Sequence, residues 1–600
     1  MSRATPVAKW ASRHKLQTRP WLIVLPVLVL VSVFTYSTWI STARRCLDLS
    51  ALWQRRLYKS RHLWLKEQGL LVLNKAAHAK HPVADLIMIS ERRWKAKLDA
   101  QSATLQDAYD EYIRRYKRRP PKGFDEWWKW SKSAGVQLLD EYDQLNSDLE
   151  IFWALSPKDM REAQHQWERH EDTFTIGKQN ATSDPELLTY NLTDENLEKS
   201  GKWRAGLQMG IINPVKEHIP PFRATWTAHD APRLFISWEL REQARKAVES
   251  GTYIDFSKSK DMPAVWASAC SPDSPLRKTF DAKQRYHSTD GYLRAPKSFI
   301  TDFRTSMNPC QSPDLIHLST FADFPDGPQP RKAFVPAFTR SKTFIHADIL
   351  GIPTEDVMNE KPDDVPFAEK TEPRMLWRGR TTGMAISAGK MWNMSHRLRF
   401  VELTNRKRGR VAVLPPPADV ADMVSPAAEW DLGELNRWFF DTGIVEAVQC
   451  DPDICEKIKQ NYAMKKIVWP EDGKHYKYVM DMDGNGWSSR FRRLMDRNAV
   501  VFKSTIYPEW WTDRAEPWVH FVPVKMDYSD IYDTLAFFRG MPDGTPGHEE
   551  YAERIADAGR EWVDQFWRRE DVTAYTWRIY LEYVRLLSDD RDKMDFHMER

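Results

Sequence analysis

The sequence predicts an α/β protein with two units that face each other across a cleft, preceded by a single transmembrane helix and a helical stem. Three observations support this prediction. A chain of 600 residues exceeds what one hydrophobic core usually organises, so two or more globular units are expected. Strand-like runs alternate with helical stretches over most of the chain. Residues 21–40 form an uncharged apolar segment of the length that crosses a bilayer.

The composition is that of a folded chain. Hydrophobic residues make up 42% and charged residues 29%, with both signs mixed, which excludes a largely disordered protein. The mean hydropathy of −0.61 excludes a polytopic membrane protein. A formal net charge of +4 is too small for a broad nucleic-acid-binding face, so no nucleic-acid partner is expected. The 27 Trp, 26 Phe and 20 Tyr are expected mainly in the core, although such rings also stack on sugars.

Residues 21–40 (WLIVLPVLVLVSVFTYSTWI) are predicted to be a transmembrane signal-anchor. A signal peptide is the competing interpretation, but the apolar run is long for one and no small-x-small cleavage site follows it. Five basic residues precede the segment and five follow it, so charge leaves its orientation undecided. Glycosylation sequons at Asn180, Asn191 and Asn393 favour a lumenal body. The prediction is a single-pass type II protein of the Golgi or endoplasmic reticulum membrane.

The five cysteines also favour a lumenal body. Cys450 and Cys455 form a close pair, Cys270 and Cys310 a more distant one, and Cys46 is left over. No CxxC or Cys/His ligand cluster occurs, so disulfides in an oxidising lumen are favoured over a zinc site.

Domain boundaries follow from breaks in the pattern. A helix that includes Leu105 and Tyr116 is predicted to end at Pro120-Pro121, and strand-like runs are predicted at 411–414 and 477–482. Residues 551–587 have helical spacing. The predicted organisation is a cytosolic tail at 1–20, the anchor at 21–40, a stem at 41–104, an N-terminal half at 105–370, and a C-terminal half with closing helices at 371–590.

The segment 476–495 carries the most informative motif. It is predicted to form a strand, a Gly-containing turn and an amphipathic helix that Ser488 or Ser489 would cap. Such a unit presents free backbone N–H groups and the positive end of a helix dipole, which suits a phosphate. Arg490 falls in the predicted first helical turn, where a cation is favourable if it faces a bound anion.

Three other interpretations compete for this segment. Residues 481–486 begin like a calcium-binding loop, but Arg492 occupies the twelfth position, where a bidentate Glu is required, so that interpretation fails. Asp481 and Asp483 also spell the D-x-D that chelates a metal bearing a nucleotide-sugar diphosphate, which keeps manganese open as a less favoured cofactor. An ordinary αβ turn is the third interpretation.

Two further segments carry candidate chemistry. Residues 377–383 (WRGRTTG) place two guanidinium groups, two hydroxyls and two glycines at a strand end, a set that suits phosphate, although a solvated surface turn is the alternative. Asp230 precedes a Pro-constrained turn in residues 229–233 (HDAPR). Its carboxylate is a candidate general base, but many such Asp residues only bond turn amides.

In chain order these segments resemble glycosyltransferase family 90, which includes fungal capsule-associated proteins and the Rumi-type protein O-glucosyltransferases of animals. The resemblance covers roughly residues 105–590. The segments that carry it are 108–128 (fungal branch), 338–349 (FTRSKTFIHADI), 377–381 (WRGRT), 476–478 followed by Gly484, Ser488, Arg490 and Phe491, and 516–525 (EPWVHFVPVK). One departure is that Asp481 and Asp483 stand where animal members carry Asn and Arg, which keeps a metal role open.

The resemblance implies a GT-B architecture: two Rossmann-like halves, a UDP-sugar in the cleft, and inversion at the anomeric carbon without a required metal. It implies that Asp230 is the catalytic base and that His346 and Asp348 lie near the donor. The residues that would hold the UDP portion are Arg378, Gly379, Arg380, Thr381, Thr382, Asn485, Gly486, Trp487, Ser488, Ser489 and Arg490.

The predicted function is transfer of xylose or glucose from UDP-xylose or UDP-glucose to a hydroxyl of a glycan or glycoprotein. The fungal-type segment and the Trp-rich composition favour a glycan acceptor, and no residue decides between the two donors. Two alternatives stay open: a metal-dependent D-x-D glycosyltransferase and a non-catalytic lumenal carbohydrate-binding protein.

Overall fold

The computed structural model describes residues 60–75, 78–257, 266–279, 289–319, 334–353, 355 and 363–598. By its internal contacts the chain divides into Met1–Arg61 and one compact unit, His62–Arg600. The predicted cytosolic tail and membrane anchor, and Cys46, lie outside the described residues. All elements below belong to the compact unit.

The strands are β1 (Leu63–Leu65), β2 (Leu70–Val72), β3 (Thr173–Lys178), β4 (Glu186–Asn191), β5 (Phe222–Thr227), β6 (Ser298–Ile300), β7 (Phe338–Thr339), β8 (Ile349–Leu350), β9 (Glu372–Arg380), β10 (Arg410–Val413), β11 (Ala428–Asp431), β12 (Phe440–Glu446), β13 (Tyr476–Met482), β14 (Val500–Ser504) and β15 (Val522–Pro523).

The α-helices are α1 (Pro82–Asp99), α2 (Leu105–Tyr116), α3 (Phe124–Ser133), α4 (Asp143–Glu150), α5 (Pro157–Glu168), α6 (Glu195–Ile212), α7 (Trp238–Ser250), α8 (Pro275–Thr279), α9 (Thr289–Leu293), α10 (Phe303–Ser306), α11 (Leu315–Leu318), α12 (His396–Asn405), α13 (Leu432–Phe439), α14 (Pro452–Asn461), α15 (Pro470–Gly473), α16 (Phe491–Met495), α17 (Ile531–Arg539), α18 (Glu549–Phe566) and α19 (Arg569–Leu587). Short 3-10 turns occur at Lys66–Gln68, Ile151–Ala154, Asn213–His218, Trp266–Ala269, Phe367–Glu369, Trp392–Met394 and Asp592–Met594.

The C-terminal sheet is wholly parallel, with strand order β12-β9-β13-β14-β15. Two of its inner strands, β13 and β14, are mostly buried, as expected for a parallel sheet with helices on both faces, whereas β9 is mostly half-buried. In β13 the residues from Tyr478 to Met482 are all buried. The carboxyl ends of β9, β12 and β13 therefore meet at one edge, where ligands of such sheets bind.

The N-terminal sheet has strand order β4-β3-β5-β7-β8 and is mixed. β3 pairs antiparallel with both β4 and β5, whereas β5, β7 and β8 are parallel. This half is therefore not the parallel Rossmann-like unit that the family resemblance implied. Two smaller sheets complete the fold: β1-β2-β6, which is antiparallel, and the antiparallel hairpin β10-β11.

The last helix, α19, packs on the N-terminal sheet although it follows the C-terminal sheet in sequence. The ring of Tyr580 stacks on Phe222 of β5 at 4.3 Å, and Tyr583 meets Phe338 of β7 edge-on at 5.0 Å. Nearly all of α19 is buried. The aromatic residues fill the core as expected: Trp510 and eight other tryptophans are among the largest fully buried side chains.

Several local predictions are confirmed. The helix that was expected to contain Leu105 and Tyr116 is α2, and it begins with a capping box between Thr104 and Asp107. The strands expected at 411–414 and 477–482 are β10 and β13. The expected helical region at 551–587 is two helices, because α18 ends at Phe566 and α19 begins at Arg569.

The predicted membrane topology needs correction. Across the described residues, no helix combines the length and the apolar character required to span a bilayer. The helices of 18 or 19 residues, α1, α6, α18 and α19, all carry several charged side chains. The segment 21–40 lies outside the described part. We therefore correct the fold class and the localisation: no described helix supports a single-pass type II protein of the Golgi or endoplasmic reticulum membrane.

Candidate active site

A cavity of about 720 Å³ opens between the two large sheets. On one side it is lined by residues 228–232, which follow β5, and by one face of α6. On the other side it is lined by residues 385–387 and 449–451 and by Asn485, which follow β9, β12 and β13. A concave site at the carboxyl ends of parallel strands is the expected place for a ligand.

Asp230 presents a carboxylate to this cavity. Its side chain is 36% exposed, and Oδ1 accepts a hydrogen bond from Nη2 of Arg204 at 2.8 Å. Nη2 of Arg340 lies 3.8 Å from the same oxygen. Among the described residues, Oδ2 has no hydrogen-bond partner. One oxygen is thus oriented by guanidinium groups while the other remains available to a ligand.

Hydrogen bonds from two buried side chains hold the backbone of the loop that carries Asp230. The hydroxyl of Ser341 donates to the backbone carbonyl of Asp230 at 2.7 Å. Nη2 of Arg340 donates to the carbonyls of Ala228 and His229 at 3.1 and 2.8 Å. Arg340 is 1% exposed, and burial lowers its pKa to about 10. These contacts fix the backbone, so the direction of the Asp230 side chain is preorganised.

Asp348 belongs to the support of this loop. Its buried carboxylate accepts hydrogen bonds from the N–H groups of Arg233 and Leu234, both at 2.9 Å, and burial raises its pKa to about 6. His346 lines the cavity, and its Nδ1 lies 2.8 Å from the hydroxyl of Thr343. Burial lowers the pKa of His346 to about 3, so its imidazole is neutral. Of the two predicted donor-site residues, the structure brings only His346 to the cavity wall.

Asp481 and Asp483 face the protein interior and neither lines the cavity. Asp481 is fully buried, accepts a hydrogen bond from Ser488 and pairs with Lys503 at 2.9 Å. Burial raises the pKa of Asp483 to about 7. Within the described ranges, no group of three His, Cys, Asp or Glu residues could hold a metal ion. This placement argues against the D-x-D chelation alternative.

The turn after β13 brings three predicted residues to the site. Asn485 lines the cavity, and its Oδ1 accepts a hydrogen bond from the N–H of Gly383 at 3.0 Å. Gly486 packs so closely that a Cβ there would lie 2.5 Å from the carbonyl oxygen of Asp230. Trp487 is buried, with the Arg340 guanidinium 5.5 Å from its ring centre. The two sheets therefore meet at the contact between Gly486 and Asp230.

The helix that follows this turn differs from the prediction. α16 has five residues and begins at Phe491, and Arg490 occupies its N-cap without a side-chain capping hydrogen bond. Ser488 donates to Asp481 instead of capping the helix, and Ser489 is exposed. A helix this short contributes little dipole.

Arg378 does not join Arg490 at a phosphate cradle. Its Nη2 donates to Asp441 at 2.8 Å and its Nη1 to the Asp441 carbonyl at 2.8 Å, away from the cavity. Arg380 pairs with Glu446 at the surface. Arg490 lies behind the turn, where its Nη1 donates to the carbonyl of Arg378 at 2.9 Å. The two predicted phosphate ligands thus point to separate places.

The other residues of segment 378–382 are structural in this arrangement. Gly379 leaves room for the ring of Trp377, since a Cβ there would lie 2.6 Å from it. The hydroxyl of Thr381 donates to the carbonyl of Val448 at 2.7 Å, which ties the ends of β9 and β12 together. The hydroxyl of Thr382 accepts a hydrogen bond from Arg397 at 2.6 Å.

Arg397 is a functional candidate that sequence reasoning missed. It is buried in the first turn of α12 and donates to the carbonyls of Arg380 and Asp483 at 2.8 and 2.9 Å. Burial, and secondarily the nearby charge of Arg490, lower its pKa to about 9. Two guanidinium groups therefore sit behind the turns after β9 and β13. Nothing in the local sequence distinguishes Arg397 from a surface helix residue.

Three more cavity residues were not predicted from the sequence: Arg204 on α6, Lys390, and Gln449. Gln449 adopts a left-handed backbone, with φ at 56°, immediately before Cys450. Both expected disulfides, Cys270–Cys310 and Cys450–Cys455, are formed. The second one anchors the loop after β12 that lines the cavity.

Comparison with known proteins shows that part of the chain is similar to glycosyltransferases. Residues 442–596 match the model of the family described as Glycosyl transferase family 90. The family resemblance predicted from the sequence is thereby confirmed over this region, which supplies part of one wall of the cavity.

Similar proteins carry related names. Protein O-glucosyltransferase 1 of Bos taurus is 26% identical over 189 residues, which cover 28% of this chain and 46% of that protein. Protein O-glucosyltransferase 2 of Danio rerio is 30% identical over 112 residues, 18% and 21% of the two chains. O-glucosyltransferase rumi of Drosophila pseudoobscura pseudoobscura is 31% identical over 121 residues, 20% and 28% of the two chains. The chain spans about half the length, or less, of the curated relatives it matches.

Proposed function

We propose that this chain is an inverting glycosyltransferase that moves glucose or xylose from a UDP-sugar to a hydroxyl of a glycoprotein or glycan. One observation carries the proposal: the family-matched region contributes residues 449–451 and Asn485 to the same cavity that Asp230 enters from the other sheet. The donor would bind to the family-matched wall, and the acceptor hydroxyl would reach it from the side of Asp230.

Asp230 would act as the general base. In an inverting transfer the acceptor oxygen bonds to the anomeric carbon as the bond from that carbon to the UDP oxygen breaks, and the hydroxyl proton must leave. The free Oδ2 of Asp230 is the oxygen placed to accept that proton, while Arg204 holds Oδ1. A positioned base of this kind typically contributes about 10²–10⁴-fold to the rate.

Fixed positive charge would stabilise the departing UDP. Lys390 lines the cavity, and Arg397 and Arg490 lie behind the turns after β9 and β13. In a water-poor cleft such fixed charges favour the negative charge that develops on the leaving phosphate. The Asn485 side chain and the backbone of residues 485–487 would contact the nucleotide. Gly379, Arg380, Thr381 and Ser489 would not contact the nucleotide, and would act only through the turns to which they belong.

The acceptor side of the site carries an exposed aromatic ring. Trp203 on α6 is 55% exposed and lies one turn from Ser200, which lines the cavity. An exposed indole three residues along the helix from a cavity-lining residue would suit stacking against a sugar ring of the acceptor. The relatives are named O-glucosyltransferases, which supports glucose as donor and a glycoprotein as acceptor.

Slow hydrolysis of UDP-sugars tests this proposal without knowledge of the acceptor. The purified protein should hydrolyse UDP-glucose or UDP-xylose and not other UDP-sugars, and a chelator should leave the rate unchanged. Asp230→Asn should keep UDP binding and lose transfer to an acceptor. Wild-type transfer by Asp230→Asn would refute the base assignment. Sensitivity to the chelator would favour the metal-dependent alternative, and carbohydrate binding without any turnover would favour the non-catalytic one.

A further inference from the structure

A second cavity, of about 690 Å³, shares no lining residue with the Asp230 cavity. Its walls are residues 73 and 75 after β2, the loop 293–297, the segment 406–412, and residues 427, 429 and 432 around β11 and the start of α13. It is strongly basic, because one carboxylate, Glu429, faces six cations. The six are Lys75, Arg294, Lys297, Arg406, Arg408 and Arg410. Since the whole chain carries only +4, this charge is concentrated locally, and we call the site the basic cavity.

Half of these cations are neutralised by nearby carboxylates. The ion pairs are Lys297–Asp533, Arg406–Glu402 and Arg410–Glu429, with N···O distances of 2.8, 2.5 and 3.7 Å. Lys75, Arg294 and Arg408 are exposed and form no ion pair within the described ranges. Three positive charges from three separate segments thus converge on the cavity without a counter-charge.

The backbone of the basic cavity is preorganised. The turn 406–410 follows α12, and the buried amide of Asn436 donates to the carbonyls of Leu403 and Arg406 at 2.8 and 2.9 Å. The hydroxyl of Tyr532 holds the Asn436 oxygen at 2.7 Å. Side chains that project from a fixed backbone lose less entropy when a ligand binds.

The opposite wall is tied to the same framework. Nζ of Lys297 donates to the carbonyl of Ala412 in β10 at 2.5 Å, which links the loop 293–297 to the hairpin. Basic residues after a helix also offset its dipole, and Arg406 serves α12 in that way. That explanation does not extend to Lys75 and Arg294, which come from other elements. The convergence therefore indicates a ligand with negative charge.

We propose that the basic cavity is an exosite for an acidic segment of the acceptor's glycan, in which the sugar rings carry carboxylates. Guanidinium forks pair with carboxylates through two parallel hydrogen bonds, and the apolar lining from Leu293, Pro296 and Val411 can contact the ring faces. Nucleic acid is disfavoured, because it requires a longer basic face than three free cations provide. The inference rests on the proposed glycosyltransferase function.

α12 connects the two sites. Its first residue, His396, has Nε2 2.8 Å from the carbonyl of Asp483 behind the donor turn, and its last residue, Asn405, leads into the basic turn. Ten helical residues rise about 15 Å. An acceptor chain anchored in the basic cavity would therefore be held within one short helix length of the donor loops.

Binding of defined oligosaccharides tests the exosite. A galacturonic-acid oligosaccharide should bind the full chain in calorimetry, whereas a neutral malto-oligosaccharide of equal length should not. The double variant Arg294→Ser/Arg408→Ser should weaken that binding about tenfold, with less effect at high salt. The matched control Lys457→Ser/Lys459→Ser removes two exposed charges on α14 and should leave binding unchanged.

Several results would overturn the inference. The inference fails if the control variant weakens oligosaccharide binding as much as the double variant does, or if the double variant has no effect. It also fails if the neutral oligosaccharide binds equally well. A wild-type protein that binds anionic vesicles or RNA, and loses that binding equally in the double variant, would point to another ligand. Thermal unfolding of both variants shows whether they fold. UDP-sugar hydrolysis is measured in parallel and should be the same in the double variant as in the wild type. Its absence from the wild type would refute the proposed function, whereas oligosaccharide binding decides the exosite.

Discussion

Gly486→Ala adds one methyl group at the contact between the two sheets. The new Cβ would lie 2.5 Å from the carbonyl oxygen of Asp230 and 2.6 Å from the hydroxyl oxygen of Ser341. Ordinary van der Waals contact begins at 3.4 Å, so the neighbours must move by about 1 Å. Neither can move freely, because Ser341 donates to that same carbonyl at 2.7 Å. The substitution therefore displaces the loop that positions the proposed base.

Gly486→Ala should affect both the stability of the protein and the rate of sugar transfer. Overpacking of this kind typically destabilises a protein by about 1–3 kcal/mol. A displacement of about 1 Å of a catalytic group typically lowers the rate about 10²-fold. Gly486→Ala should thus lose most sugar transfer while the protein stays folded.

Transfer kinetics and thermal unfolding together measure this prediction. Gly206→Ala is the matched control, since Gly206 lies on α6 with nothing within 4 Å of a Cβ. It should keep full transfer and gain up to about 1 kcal/mol of helix stability. Wild-type kcat in Gly486→Ala would show that the position of the Asp230 loop does not limit transfer, and would refute the reasoning.

The remaining predictions concern charge and the acceptor. Arg490→Ala should weaken UDP binding in calorimetry, whereas Arg378→Met should leave UDP binding unchanged. Arg378→Met should instead lower the free energy of unfolding by about 1–2 kcal/mol, because Asp441 loses a partner. The reverse pattern would contradict the role of Arg490 at the UDP site. Burial raises the pKa of Asp483 from 3.8 to about 7, so the stability it contributes is present below pH 4 and is lost as pH rises through about 7. Asp483→Asn should flatten the fall in unfolding free energy between about pH 4 and 7, and an unchanged pH profile would speak against this. Trp203→Ala should raise KM for a glycan acceptor about fivefold without changing donor hydrolysis; an equal loss of both would mean a structural role.

Local sequence patterns predicted the elements that short-range forces control. The capping box at Thr104 and Asp107 and the apolar run of β13 depend on neighbouring residues, so α2 and β13 form where they were expected. The motif around Asn485 and the segment with Asp230 were also recognised, because a turn between a strand and the next element leaves a readable pattern. The exposed Asp230 carboxylate at the cavity is consistent with that prediction.

The sequence could not show where long side chains point. Arg378 and Arg490 were both expected at the phosphate, yet the first pairs with Asp441, and the second donates to the carbonyl of Arg378 and lies 3.6 Å from Asp481. The partners of Arg378 and Arg397 lie 63 and 86 residues away along the chain. A guanidinium group takes the partner that tertiary packing brings within reach.

The amino-acid sequence by itself predicted the resemblance to glycosyltransferase family 90, two candidate cysteine pairs, several helices and strands, and the turn that carries the proposed base. The tertiary structure alone decided that β3, β4 and β5 form an antiparallel set, that α19 returns to the N-terminal sheet, and which cations reach each cavity. The physical reason is the separation along the chain of the residues that interact. Turns, caps and strand patterns are set by neighbours along the chain, whereas sheet order and charge convergence depend on contacts between segments tens to hundreds of residues apart.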